Sequence, residues 1–186
     1  MVRPAIIHLN LIPPMKKLLL PVIAAAFMIG CGKPKPAMDI WTASAQGDVV
    51  AIRQNLDAGI DINARQPAGG STPLMAAAMF GQTEAVNLLI QKGARTDARN
   101  NDGATALHLA AFFCQPDTAQ LLLDKGADVS AKDNRGQTPL DTVSGPWTPE
   151  LQNVYVYISG YLHITLDLEK IKRERPRMVE LLRKAG

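Results

Sequence analysis

The sequence is poor in the residues that most often carry chemistry. It holds two cysteines, three histidines and 5% aromatic residues in 186. No glycine loop of the phosphate-cradling kind is present. His108 and His163 are the histidines beyond residue 30, and neither has neighbours that suggest a metal set or a nucleophile–base pair. Catalytic residues, bound metal and cofactors are therefore not expected. Long apolar runs are missing too. Leu18 to Ile29 is a run of twelve, interrupted by Pro21, and a membrane-spanning helix needs about 20. Nor is there a true excess of positive charge. The formal charge is +3, but Arg3, Lys16 and Lys17 supply all of it. Beyond residue 30, 17 Lys and Arg face 17 Asp and Glu, so the high isoelectric point gives no reason to expect a nucleic-acid partner.

What is present begins with Met15-Lys16-Lys17, a positive patch followed by the short apolar run. That is the n-region and h-region of a secretory signal. Met28-Ile29-Gly30-Cys31 resembles a bacterial lipobox, whose usual form is Leu-Ala-Gly-Cys. The resemblance implies cleavage before Cys31, its lipidation, and a lipid anchor; two or three acyl chains hold a protein stably at a membrane. Gly32 in place of Asp implies outer-membrane sorting facing the periplasm, although Lys33 weakens this rule in some bacteria. The inner membrane and the soluble periplasm are the alternatives. Residues 1–14 read as an over-extended start, residues 1–30 as the signal, and residues 31–37 as the lipidated cysteine with a stiff tether, GKPKPA. A lipidated Cys31 would leave Cys114 as the only free thiol, and stability would rest on packing alone.

The remaining chain suits one modest domain, and it repeats. Ser71-Thr72-Pro73-Leu74, Ala104-Thr105-Ala106-Leu107 and Gln137-Thr138-Pro139-Leu140 lie 33 residues apart. Ala77-Ala78 and Ala110-Ala111 follow at one offset, then leucine-rich segments that close on Gly93 and Gly126. Threonine can cap a first helix, with Pro tolerated in its opening turn. Small alanines permit close helix approach, and Gly takes the left-handed position after the second helix. Residues 100–103 (NNDG) and 133–136 (DNRG) are hairpin turns. The pattern resembles the ankyrin repeat, whose T-P-L-H-x-A motif is nearly matched by TALHLA at residues 105–110. The resemblance implies an all-α solenoid of helix-turn-helix repeats with hairpin loops. It also assigns His108 a structural role in bracing the turn.

Residues 38–68 read as a degenerate capping repeat, 69–101 and 102–134 as ankyrin repeats, and 135–186 as an enlarged C-terminal repeat. In the last of these, Thr138 lies 48 residues before Gly186, against 21 between Thr72 and Gly93, so about 27 residues are inserted. The insert is expected to be helical, with Thr148 as N-cap and Pro149 first in the helix. Leu151, Val154, Tyr155, Ile158 and Leu162 share a face that Ile164, Leu168 and Ile171 extend. Pro176 is expected to break the chain before the last helix. The basic run at residues 170–177 (KIKRERPR) reads as a solvated helix face, with anionic lipid headgroups as the alternative.

Function then rests on a surface. Ankyrin repeats bind proteins through hairpin tips and the exposed side of the first helices. Met79, Phe80, Phe112 and Phe113 occupy the variable positions after the alanine pairs, and Trp41 and Met75 stand where His108 stands in its own repeat. These side chains are either partner-binding anchors or padding between repeats. Tyr155, Tyr157 and Tyr161 lie in the insert, with Trp147 beside it; they form a second interface or cap the open end of the stack. Cys114 replaces Gly81 at the turn between helices and is expected to be an unreactive thiol. The expected protein is a monomeric, non-catalytic binding module with one protein partner. An inhibitor of, or immunity protein against, a periplasmic hydrolase or toxin is the first reading. An adaptor for envelope or oxidative-stress proteins is the second.

Overall fold

The computed structural model describes residues 36–186, so the signal and lipidation expectations lie outside the described residues. Nine α-helices follow one another in that span: α1 Ile40–Gln46, α2 Val49–Asp57, α3 Pro73–Met79, α4 Thr83–Gln91, α5 Ala106–Phe112, α6 Pro116–Asp124, α7 Pro139–Ser144, α8 Pro149–Leu162 and α9 Leu168–Ala185. The first helices α1, α3, α5 and α7 pack in one row, and α2, α4, α6 and α9 stack behind them. The protein is an all-α solenoid, as its repeats require.

Each first helix starts where its cap residue stops. Asp39, Thr72, Thr105 and Thr138 hold extended backbone at the four N-caps. Such a cap is worth about 1 kcal/mol over alanine. Proline at the first position of α3 and α7 presets the helical φ. The alanine pairs Ala77-Ala78 and Ala110-Ala111 are wholly buried. No larger side chain would let α3 and α5 come so close. Leu74, Leu89, Leu107 and Leu122 fill the layers between repeats, each worth about 1.5–3 kcal/mol of burial.

The hairpins are laced to one another by backbone bonds. Asn101 N–H donates to Gly69 O at 3.0 Å, and Asn134 N–H donates to Asp102 O at 2.9 Å. The first hairpin closes between Gln66 N–H and Ser71 O, one residue longer than its successors at Asn100–Ala104 and Asp133–Gln137.

The last repeat departs from expectation in two ways. Pro176 does not break the chain but lies inside α9. A proline there removes one helical hydrogen bond. The helix survives because Ile171, Arg175, Met178 and Leu182 form a buried stripe along it, and packing outweighs the lost bond. The face of α8 also does not run on through Ile164 and Leu168. His163 closes α8 in the left-handed region at φ 52°, and a short link separates the two helices. Among the described residues, no helix is long and apolar enough to cross a membrane.

Candidate protein-binding face

One position in the first helix sets the chemistry between repeats. In α5 it is His108, 2% exposed. Its Nδ1 accepts from Thr105 N–H at 3.2 Å, so Nε2 carries the proton and donates to Gln137 O at 3.0 Å. Burial holds the imidazole below its ordinary pKa, against the opposing pull of the Gln137 carbonyl and the Asp133 charge. His108 thus braces its own turn and ties it to the next hairpin. Trp41 makes the equivalent tie in α1, where the indole N–H donates to Ser71 O at 3.0 Å and Ala64 O at 3.2 Å. Met75 cannot donate; its sulfur accepts from Thr72 N–H at 3.4 Å. Asp141 in α7 accepts from Thr138 N–H at 2.8 Å.

A second series runs along the turns between helices. Gln82 donates to Ala45 O at 3.0 Å and Gln115 to Met79 O at 3.4 Å. The next carbonyl in the series, Phe112 O, accepts instead from the Tyr155 hydroxyl at 2.6 Å. Tyr155 is wholly buried. Its ring packs on Phe112 at 4.7 Å and Trp147 at 5.5 Å. Burial pushes its hydroxyl well above the ordinary phenol pKa, so it stays a donor. Arg175, itself buried, donates to Val143 O and Gly145 O, both at 2.7 Å, and lies 5.9 Å from the Trp147 ring centre. Its charge is met by carbonyl dipoles and an aromatic face rather than by a carboxylate.

This anchor lays α8 across the face shared by the first helices and the hairpins. Between them lies a groove of about 330 Å³. Met79, Leu109 and Phe112 line one side and Val154, Ile158 and Leu162 the other; Asn100, Asp102 and Arg135 belong to its hairpin rim. Asp133, also on the groove, is buried and fixed. Burial alone raises its pKa, but the N–H groups of Gln137 and Arg135 outweigh that and hold the carboxyl below its usual range.

The sequence-predicted anchors therefore divide. Met75 and Tyr155 are 1% and 0% exposed, which corrects their reading as partner contacts: they fill the space between repeats and under α8. Phe113, 4% exposed, packs against Tyr155 and still borders the groove. Trp41 is half-buried and spends its indole N–H inside the fold. Met79 and Phe112 are half-buried on the groove. Phe80 is half-buried at the end of α3 and does not line it. Tyr157 and Tyr161 stack on each other at 6.3 Å on the outward side of α8, 72% and 67% exposed. Sequence reasoning expected the hairpins to take part but named no residue of the rim; it missed Leu109, and missed Arg175, whose place in a basic run hid it. Its spacing from Ile171 and Met178 was the available signal.

Cys114 is buried, and burial pushes its thiol up to about 11. A thiol so far from its thiolate is a poor nucleophile. Among the described residues, no three His, Cys, Asp or Glu side chains are grouped to hold a metal.

Known proteins share this pattern. The family model for ankyrin repeats (3 copies) matches residues 40–133, just over half of the chain. An ankyrin repeat-containing protein of Schizosaccharomyces pombe is 32% identical over 65 residues, which is 35% of this chain and 31% of that protein. The 2-5A-dependent ribonuclease of Mus musculus is 41% identical over 61 residues, which is 33% of this chain and 8% of that enzyme. The chain thus spans under a third of the one and under a tenth of the other. Ankyrin repeats are protein–protein interaction modules, and with the family model covering the helix pairs described above, this chain belongs to the ankyrin-repeat family.

Proposed function

We propose that the protein is a non-catalytic binding module of the bacterial envelope that inhibits, or gives immunity to, a periplasmic hydrolase or toxin. The observation that carries the reading is the groove beneath α8. Val154 and Leu162 border it and remain 44% and 39% exposed. Accessible apolar walls with a polar rim suit an apolar segment of a partner protein. The envelope part rests on the signal-like residues 15–31, ending at Cys31. The adaptor reading is favoured by one separate feature, the stacked and exposed Tyr157–Tyr161 pair outside the groove. A single-face inhibitor does not need it.

The test is retention of envelope proteins by the full-length chain, with identification by mass spectrometry. Two altered baits are compared, Val154→Asp/Leu162→Asp in the groove and Tyr157→Ala/Tyr161→Ala outside it. One hydrolase or toxin, lost with the groove variant and kept with the tyrosine variant, supports inhibition. Several unrelated proteins, indifferent to the groove variant, would overturn it. Loss with the tyrosine variant favours the adaptor.

A further inference from the structure

We infer that the protein carries a second binding site, for a phosphate monoester, on the side of the hairpins away from the groove. Neighbouring residues on the hairpin arms face opposite ways. Ser71 and Asn100 line the groove, whereas Thr72 and Arg99 line a separate cavity of about 400 Å³. With them stand Asn63, Arg65, Arg95 and Asp97.

Three guanidinium groups against the one carboxylate of Asp97 leave two positive charges at this cavity. Each guanidinium is already steadied from one side. Arg65 Nη2 donates to Asn101 Oδ1 at 2.8 Å, and Arg99 Nη1 to Gly103 O at 2.8 Å and to Lys132 O. Arg95 holds Asp97 with Nε and Nη2, both at 3.0 Å. Arginine has five N–H donors, so donors remain on all three, on side chains whose freedom is already reduced.

Thr72 adds an independent observation. It is 2% exposed. In the two following helix pairs the corresponding hydroxyl meets a side-chain acceptor, His108 Nδ1 at 2.9 Å or Asp141 Oδ2 at 2.7 Å. Met75 occupies that place beside Thr72, and its sulfur is engaged by the Thr72 N–H. The Thr72 hydroxyl accepts from Met75 N–H at 3.3 Å as the helix cap, and no side-chain acceptor takes its proton as in those repeats. Thr72 lines the doubly positive cavity, where its hydroxyl can turn that proton to an oxyanion.

Charge selects the class. A phosphate monoester carries about −1.5 to −2 at pH 7, which matches the site; a single carboxylate leaves half the charge unmet. Guanidinium groups also suit phosphate geometry, with paired N–H donors in one plane. The volume far exceeds the ~30 Å³ share of one water, leaving room for part of the esterified group. This site is independent of the groove and of the envelope reading.

Calorimetric titration of the full-length chain with inorganic phosphate should give one saturable site. Arg65→Gln/Arg99→Gln should weaken it about tenfold or more. Asp97→Asn removes the competing carboxylate and should tighten it, an outcome that misfolding cannot imitate. Vesicles of phosphatidic acid in phosphatidylcholine identify the source. Cosedimentation that free phosphate competes away assigns the monoester to a lipid headgroup, and phosphate binding without cosedimentation assigns it to a soluble molecule. Both support the site. No saturable phosphate binding, equal affinity for acetate, or affinity unchanged in both variants would overturn it.

Discussion

The regular repeats and the enlarged last repeat meet the same structural demands with different parts. In residues 38–101 each turn between helices is held by a glutamine from the next repeat, a neutral side chain at the edge of the stack. In the last repeat a buried tyrosine takes that carbonyl, backed by a buried arginine and a tryptophan ring. The regular part spreads its stability over many small, equivalent contacts, as stacked repeats do. The last repeat concentrates it in one network. It is the part that can fail by a single substitution.

Arg175→Met should show this most strongly. It strips the donors from Val143 O and Gly145 O and removes the partner of Trp147. A loss of about 3 kcal/mol is expected, read from urea unfolding, with faster hydrogen exchange in α8. An effect under about 1 kcal/mol would mean that the network is not what fixes the helix. Tyr155→Phe comes next. It keeps the ring and loses the bond to Phe112 O, so about 1–2 kcal/mol should go. Its counterpart Gln115→Ala, at a longer and partly exposed bond, should cost about 0.5 kcal/mol. Equal losses would erase the contrast.

His108 sharpens the comparison through pH. Its folded pKa lies below the ordinary value because it is buried. The unfolded chain takes up the proton below about pH 6.5, where the folded chain still resists it. Stability contributed at this site is therefore full above that pH and declines as the pH falls, by at most about 1.4 kcal/mol per pH unit. His108→Met, which copies the neighbouring repeat, should flatten the profile between about pH 7 and 5.5. A profile as steep as that of the unaltered protein would show that another group is responsible.

The turn itself offers the last comparison. Gly47 and Gly81 sit at φ 74° and 69°, and Cys114 takes the same region at φ 51°. A Cβ at Gly81 would lie 2.5 Å from Gln115 Oε1, so Gly81→Ala should cost about 1–2 kcal/mol through backbone strain and displacement of that glutamine. At Cys114 no glutamine reaches back, and Tyr155 binds the nearby carbonyl instead. Cys114→Gly relieves left-handed backbone but loses a buried sulfur, and the two should cancel to within about 1 kcal/mol. Thermal unfolding of the two variants side by side would check this.

Most of the fold was legible because its cues are local and repeated. A threonine cap, an alanine pair and a closing glycine recur at one period, and each has a physical meaning wherever it stands. The insert was legible as a helix, from Thr148 and the stripe through Leu151, Tyr155 and Ile158, but not as a neighbour of Phe112. A stripe says that a face will be covered without saying by what. The same gap explains Phe113. Position after the alanine pair suggests exposure, yet the fit of α8 decides it, and that fit depends on contacts 43 residues apart. Pro176 misled because its local cost is certain, whereas the stripe that offsets it spans more than two turns of α9.

The grip of Tyr155 on Phe112 fixes where the groove can be. The insert fastens to the repeat immediately before its own, never to the first. Copies of a middle repeat added on the N-terminal side would lengthen the array yet leave this recess unchanged, whereas a copy placed after residue 134 would move the recess onto whatever side chains that copy supplies. Array length and the lining of the recess are thus separately adjustable: growth at one side is neutral, and one junction sets which side chains the recess presents.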